Sequence, residues 1–422
     1  MDEKLPAKPP SLRDADWLNR PETRELFAAL NDGGHTARAV GSAVRNTLLG
    51  TPVHDVDIAT TSPPDVTTAL AAQAGLRAVP TGIDHGTVTV VVRHTPFEVT
   101  TLRTDVETFG RHARVAYTDD WAADARRRDF TINALYCDAG GVILDPLDGY
   151  GDLVARRVRF IGLAEERIRE DYLRILRFFR FSAEYAGGVI DGDGLKACRA
   201  SSHGLDQLSR ERIRAELLRL VVSPHVTAVV PVIAGDFLAR VLPDAPDARL
   251  LERVVTIEHT LNRQADPILR LGALTGARPG GALPLREALR LSAREFERLA
   301  RLSMPDPAFD PANNERDAKA FIYRHGPRAF TDGVILAWAH SEASASDAGY
   351  AQRLALPARW QAPPLPVRGS DVVELGIPPG PRIGRIVAAF EDWWIAADFP
   401  EDAARLTSRL AQIATATDAN DS

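Results

Sequence analysis

The chain has 422 residues but only two cysteines and two methionines. Cys137 and Cys198 cannot build a disulfide framework, which excludes the stapled secreted class and points to a reducing compartment. Long apolar runs are also missing. The most apolar long window, 221–242, is broken by Pro224, His225, Pro231 and Asp236, whereas a membrane span needs about 20 apolar residues. The opening MDEKLPAKPPSLRD lacks the apolar core and cleavage site of a secretory signal. These absences predict a cytosolic protein with no membrane partner. A strongly basic balance is absent too. The formal net charge is -6, so any polyanion site must be a local patch. Lysine occurs only at Lys4, Lys8, Lys196 and Lys319, the other basic residues being arginine. That bias suits bidentate phosphate contacts, but GC-rich coding is the plainer explanation.

What is present is ordinary globular material, 45% hydrophobic and 26% charged. At about 150 residues per domain the length suggests two to four domains. Residues 1–22 are polar and read as a loose leader with one short helix. From 36 to 145 short strands alternate with helices. TARAV runs into Gly41-Ser42 and a helical AVRNTLL. VHDVDIAT alternates as a strand, PPDVTTALAAQAG reads as a helix, and the β-branched run 86–93 and PFEVTTLR read as strands. After about residue 150 strand patterning fades. Apolar residues then recur at helical spacing over 164–185, 205–222, 247–263, 285–303 and 383–413. Breaks fall near 278–284, 305–311 and 357–381. The chain therefore reads as a mixed α+β unit followed by an all-helical remainder.

In His54-Asp55-Val56-Asp57-Ile58 two carboxylates are one residue apart. On a strand they would share a face, and paired carboxylates are costly unless a cation lies between them. Hard oxygen ligands favour Mg²⁺. A lone D-x-D is weak, being common on solvated loops. The preceding V-G-S-A-V-R strengthens it. A Gly41-Ser42 turn lets backbone N–H groups approach a phosphate at a helix N-terminus, with Arg45 one turn on. Glu98, between the apolar Phe97 and Val99, could complete a three-carboxylate site that activates a 3′-hydroxyl and neutralises a leaving pyrophosphate. The plainer alternative makes Glu98 an exposed strand residue paired with Arg103.

Asp124 precedes Arg126-Arg127-Arg128-Asp129, where three successive arginines suit a triphosphate. Thr131 and Asn133 read as residues that hold this loop. In Glu170-Asp171-Tyr172-Leu173-Arg174, Asp171 and Arg174 stand one helical turn apart. They could form an intrahelical ion pair. They could also read a base, because an aspartate accepts from an exocyclic amine and an arginine donates to ring acceptors. Cytosine and adenine offer that pattern, and uracil and guanine do not. Arg177 and Arg180 continue the spacing, with Arg180 turned toward phosphate or an interface. Leu208–Leu217 reads as a bracing helix with Ser209 as its N-cap.

Taken in order, G-S-x-V-R-N, H-D-V-D-I-A-T, E-V-T-T-L-R, R-R-D-F-T-I-N-A-L, E-D-x-x-R-x-x-R and S-x-E-R-I-x-x-E-L resemble the class II CCA-adding tRNA nucleotidyltransferases, a family shared with bacterial poly(A) polymerases. Residues 365–394, with L-P-V-R-G-S-D and L-G-I-P-P-G-P, resemble the tail of bacterial members. The resemblance implies a polymerase-β-like head with a small mixed sheet at 23–145, a helical neck at 146–224, and a helical body and tail at 225–422. It implies addition of C, C and A to tRNA from CTP and ATP, with Mg²⁺. It puts Asp55 and Asp57 on the metal carboxylates and Glu98 near the third acid. Gly41, Ser42, Arg45 and Arg128 fall on triphosphate contacts. Asp171 and Arg174 fall on the base-reading pair, and Arg177 and Arg180 on further nucleotide contacts. Residues 104–120 fall on a flexible loop needed for adding A. The family usually has Gly-Gly where this chain has Gly41-Ser42, and Asp where it has Asn46. P-T-G-I-D-H-G-T-V-T-V-V at 80–91 resembles the CCA-adding group. A poly(A) polymerase or a partial CC- or A-adding enzyme is the second reading. An inactive RNA-binding protein on the same scaffold is the third.

Overall fold

The alternation T-V-T-V-V-V becomes a strand whose Val88, Val90 and Val92 are buried while the residues between stay half-exposed. In a computed structural model that describes residues 8–109, 112–277, 280–302 and 314–419, this strand belongs to a seven-stranded mixed sheet. The strands are β1 Ala37–Val40, β2 Asp57–Thr60, β3 Arg77–Gly82, β4 Thr87–Val92, β5 Thr95–Thr101, β8 Tyr136–Cys137 and β9 Ile143–Leu144, ordered β3-β4-β5-β2-β1-β8-β9. Only β2 and β5 pair in parallel. Between β4 and β5, Arg93 and His94 both have positive φ, 47° and 70°, which matches the strand twist in a two-residue hairpin. Strands β6 Arg103–Phe109 and β7 His112–Tyr117 form a separate antiparallel ribbon. The family loop expected at 104–120 is therefore mostly ribbon, with residues 110–111 outside the described residues.

The chain divides into two compact units: residues up to Pro246 with Ala288–Arg290, and Asp247–Glu287 with the residues from Leu291 onward. In the first, one sheet face carries Ile58, Val88, Val90, Phe97 and Val99 and is covered by helices Pro21–Leu30 and Pro64–Gln73. The other face is covered only in part. Around β1, β2 and β8, Val40, Ala59 and Tyr136 pack with Leu102, Ala125, Ala134 and Ile161. Across β5, β4 and β3 it stays accessible, with Glu98 and Thr81 exposed and Thr87, Thr89 and Thr100 half-buried.

The leader is not loose where it is described. Leu12 N–H donates to the Gly141 carbonyl at 2.8 Å and Trp17 Nε1 to Thr47 Oγ1 at 2.7 Å. Gly141 has φ +83°, and a Cβ there would lie 2.2 Å from the Arg13 backbone nitrogen, so only glycine admits this docking.

The helix expected over 164–185 is two, Ala164–Glu170 and Leu173–Tyr185, separated by Asp171 in extended conformation (φ -154°, ψ 105°). Phe178 and Phe179 on the second helix are fully buried, a stabilisation of about 1.5–3 kcal/mol each. Phe178 stacks on Phe160 at 5.1 Å, and Phe130 lies 5.1 Å from both Phe160 and Phe181. This cluster fastens the helix to the loop that leads into β8. Helices Arg210–Val221 and Val226–Ile233 pack on the same helix. Ser209 is the N-cap as expected, but its side chain makes no cap bond.

The second unit is helical. The span 285–303, whose Ala288–Arg290 belong to the first unit, breaks at Arg290 (φ 51°) into Ala282–Leu289 and Ala293–Leu302. The span 383–413 breaks at Asp398 and Phe399, both with positive φ, into Pro381–Ala396 and Ala403–Ala419. Glu315–His340 had no counterpart in the sequence reading, because Gly326 (φ 84°) and Pro327 interrupt its periodicity. Ile386, Phe390, Trp394 and Leu410 form part of the core here. No described helix is long and apolar enough to cross a membrane.

Candidate active site

Asp57 opens β2, and the parallel register Ile58↔Val99 places it beside Glu98 on one sheet face. Asp55 lies before the strand, not on it as the alternation predicts, and both aspartates are exposed. Flanking protein mass raises the Asp57 pKa, Glu98 and Asp55 raise it further, and Arg128 opposes them. Glu98 and Asp55 therefore both act electrostatically on Asp57. Glu98 is exposed between buried Phe97 and Val99, as the pattern implies. Among the described residues, no three His, Cys, Asp or Glu side chains converge closely enough to hold a metal by themselves. A magnesium ion needs only one or two carboxylates plus waters and substrate phosphates, so these residues fit such an ion.

Gly41 joins β1 to helix Ser42–Leu48 with φ 71°, and its N–H donates to Leu135 carbonyl at 3.1 Å. Arg45 on that helix is buried. Its guanidinium donates to Asn133 Oδ1, to Tyr185 Oη at 2.8 Å and to Asn46 Oδ1 at 3.0 Å, and lies 4.1 Å from the Tyr185 ring centre. Burial lowers its pKa against the pull of Tyr185 and Glu184. Arg45 is thus engaged with the helical side of the unit.

Arg128 is gripped from behind. Asp124, fully buried, pairs with Arg127 at 2.7 Å and Arg128 at 3.2 Å and accepts from Tyr136 Oη at 2.8 Å. Burial pushes the Asp124 carboxyl up, and the two arginines and the Tyr136 bond outweigh it and hold it down. Burial likewise opposes the Arg128 charge, and Tyr136 and Asp124 more than offset it. Asn133 donates to Asp129 Oδ1 at 2.9 Å, and Thr131 donates to Asp152 Oδ2 at 2.6 Å, the loop-holding roles expected.

The Asp171 and Arg174 side chains take different partners, while the Arg174 N–H donates to the Asp171 carbonyl at 3.0 Å. Asp171 Oδ1 accepts from Leu173 N–H at 3.1 Å, and Oδ2 accepts from Arg212 Nη2 at 2.6 Å. Arg174 Nη1 donates to Glu170 at 2.5 Å and to the Arg167 carbonyl at 2.8 Å. The intrahelical alternative fails because Asp171 sits outside the helix. Arg177 pairs with Asp129 at 2.6 Å. Burial raises the Asp129 pKa, but Arg177 and Asn133 outweigh it and bring it to about 2. Arg180 is buried between Glu216 at 2.6 Å and Glu184 at 2.9 Å. A nucleotide cannot reach it unless those pairs part.

Sequence reasoning missed the residues that hold these side chains: Glu170, Arg167, Asp129, Arg212, Glu216 and Tyr185. Arg167 donates to the carbonyls of Arg127 and Arg128. Arg212 and Glu216 lie one turn apart on the helix read as a brace, and that spacing was the available signal.

Residues 37–159 match the Poly A polymerase head domain. The fold and the head define a nucleotidyltransferase. CCA tRNA nucleotidyltransferase 1, mitochondrial, of Mus musculus is 34% identical over 382 residues, covering 88% of this chain and 84% of its own. The CCA-adding enzyme of Streptococcus pyogenes serotype M2 is 39% identical over 219 residues, 50% of this chain and 53% of its own. The crystal structure of the Bacillus stearothermophilus CCA-adding enzyme in complex with CTP superposes with a TM-score of 0.73 at 26% identity, covering 95% of this chain and all of that one. The chain belongs to the CCA tRNA nucleotidyltransferase family.

Proposed function

We propose that Asp55, Asp57 and Glu98 form the catalytic carboxylate set of an enzyme that adds C, C and A to the 3′ end of tRNA, from CTP and ATP, releasing pyrophosphate. The observation that carries this is the strand register, in which Asp57 lies beside Glu98 on the open sheet face with Asp55 two residues before it. Asp55 and Asp57 would hold the divalent ion, for which we infer Mg²⁺. When bound, it supplies charge neutralisation at the α-phosphate and the leaving pyrophosphate. In-line attack by the 3′-hydroxyl needs positioning more than covalent help. Arg128, held by Asp124 and Tyr136, is placed to meet triphosphate charge. Asp171 keeps acceptor capacity beyond its bonds to Arg212 and Leu173, and Arg174 keeps donors beyond Nη1. The pair is therefore able to read an exocyclic amine beside a ring acceptor. Gly41, Ser42, Arg45, Arg177 and Arg180 complete the proposed nucleotide site, with Arg45 and Arg180 acting through their internal pairs.

We assign 1–22 to a leader, 23–145 to the head, 146–224 to the neck and 225–422 to the tRNA-binding body and tail. A cytosolic location is supported by the two cysteines, both free and buried.

The test is extension of tRNA ending before CCA, in C, or in CC, with each NTP alone and with CTP plus ATP, in Mg²⁺. Growth by three nucleotides that then stops is the expected result. Long A tails, or a stop after CC, would replace it with the second reading. No extension of any tRNA would overturn it.

A further inference from the structure

We propose that the open sheet face beside Glu98 receives the ribose–phosphate backbone at the 3′ end of the RNA being extended, and that threonine hydroxyls there contact its 2′-hydroxyl groups. This rests on the function proposed above.

The register puts Asp57, Glu98 and Thr89 side by side on one face, and Thr100 and Thr87 beside each other one pleat further on. Thr87 and Thr100 hydroxyls are 2.9 Å apart, and Thr81 and Thr89 hydroxyls are 2.6 Å apart. In each pair one hydroxyl donates to the other. Each pair therefore keeps one hydrogen and several lone pairs for an outside group. Cross-strand threonine pairs also stabilise sheets, and half-buried Val79 and Val91 share this face with them. Thr100 lies about 7 Å along the strand from Glu98, so the hydroxyl surface is continuous with the carboxylates where the 3′-hydroxyl must arrive.

The chemistry of the face selects the occupant. Carboxylates at its edge disfavour a phosphate beside them, so the ribose side of the backbone, not its phosphates, would face the hydroxyls. Neutral hydroxyls can hold a strand beside that charge without competing for it. A ribose 2′-hydroxyl both donates and accepts, as these threonines do, and it distinguishes RNA from DNA.

The test uses the full chain and two acceptors, a tRNA ending in CC and the same RNA with 2′-deoxyribose at the nucleotide before its terminal one. The wild type should extend the ribose acceptor with a KM roughly tenfold lower. The double variant Thr87→Val/Thr100→Val keeps shape and β-branching. It should raise the KM for the ribose acceptor roughly tenfold, leave the KM for ATP unchanged, and abolish the preference between acceptors. Thr87→Ser/Thr100→Ser should restore it. Equal use of both acceptors by the wild type overturns the proposal without any variant. So does a rise in the KM for ATP in place of the acceptor. A wild type that extends no tRNA at all instead defeats the function reading.

Discussion

Glu216 is a residue whose loss the structure makes costly. Its carboxylate is 2.6 Å from Arg180 Nε, with the two side chains 5% and 9% exposed. Arg177 and Arg219 approach its other oxygen at 3.7 Å. Glu216→Gln keeps the shape and removes the charge. Breaking a buried pair by removing one partner costs about 3–5 kcal/mol. Arg180 retains Glu184 at 2.9 Å, a partner that is 33% exposed, so the low end applies, about 3 kcal/mol. For a unit of this size that lowers the melting temperature by about 6–12 °C. Urea and thermal unfolding of the full chain measure it, and a double-mutant cycle with Arg180→Met isolates the pair. The coupling should account for most of the loss. A drop below about 1 kcal/mol, the range of an exposed pair, would refute the reasoning. Arg180 would then have to be solvated, and its burial between two helices would carry no stability.

Three further outcomes are expected. Asp57→Asn should abolish nucleotide addition while leaving tRNA affinity within about threefold, read by extension and filter binding; normal turnover would remove Asp57 from the site. Asp171→Ala should erode the preference for CTP and ATP over UTP and GTP by at least about tenfold, read as the ratio of kcat/KM values; an unchanged ratio would leave Asp171 a purely structural partner of Arg212. Asp129, with its pKa lowered from 3.8 to about 2, contributes stability that is present above about pH 4 and lost as pH falls toward 2. That share is about 2 kcal/mol, and acid titration of Asp129→Asn should show a correspondingly flatter loss.

Local patterns were readable and long-range partners were not. The period-two runs around Val88–Val92 and Phe97–Val99 identified strands because one face is buried against helices. Gly41 was readable as a turn because the backbone there needs positive φ. The break at Asp171 was invisible, since no glycine or proline marks it. It accompanies a carboxylate bonded to Leu173 N–H and to Arg212, 41 residues away. Arg45 was legible as a cation near a turn, but not as a residue clasped by Asn133 and Tyr185, 88 and 140 positions off. Periodicity describes which face a side chain occupies. Which acid it finds there is decided by packing, as at Glu170, which draws Arg174 away from Asp171. Helix Glu315–His340 was lost for the opposite reason. Gly326 and Pro327 gave a true local signal of a kink, and it masked the helical turns on either side.

Among the described residues, the cations in the wiring around the site are guanidinium groups: Arg45, Arg128, Arg167, Arg174, Arg177, Arg180 and Arg212. Lys8, Lys196 and Lys319 lie outside it, with Lys196 paired to exposed Asp193 and Lys319 to Glu315 and Asp398. A guanidinium stays protonated at any physiological pH. It is also inert to the acyl transfer that neutralises lysine amines. The cations around the proposed nucleotide site therefore keep a constant charge whatever the acyl-donor supply or the physiological pH of their surroundings.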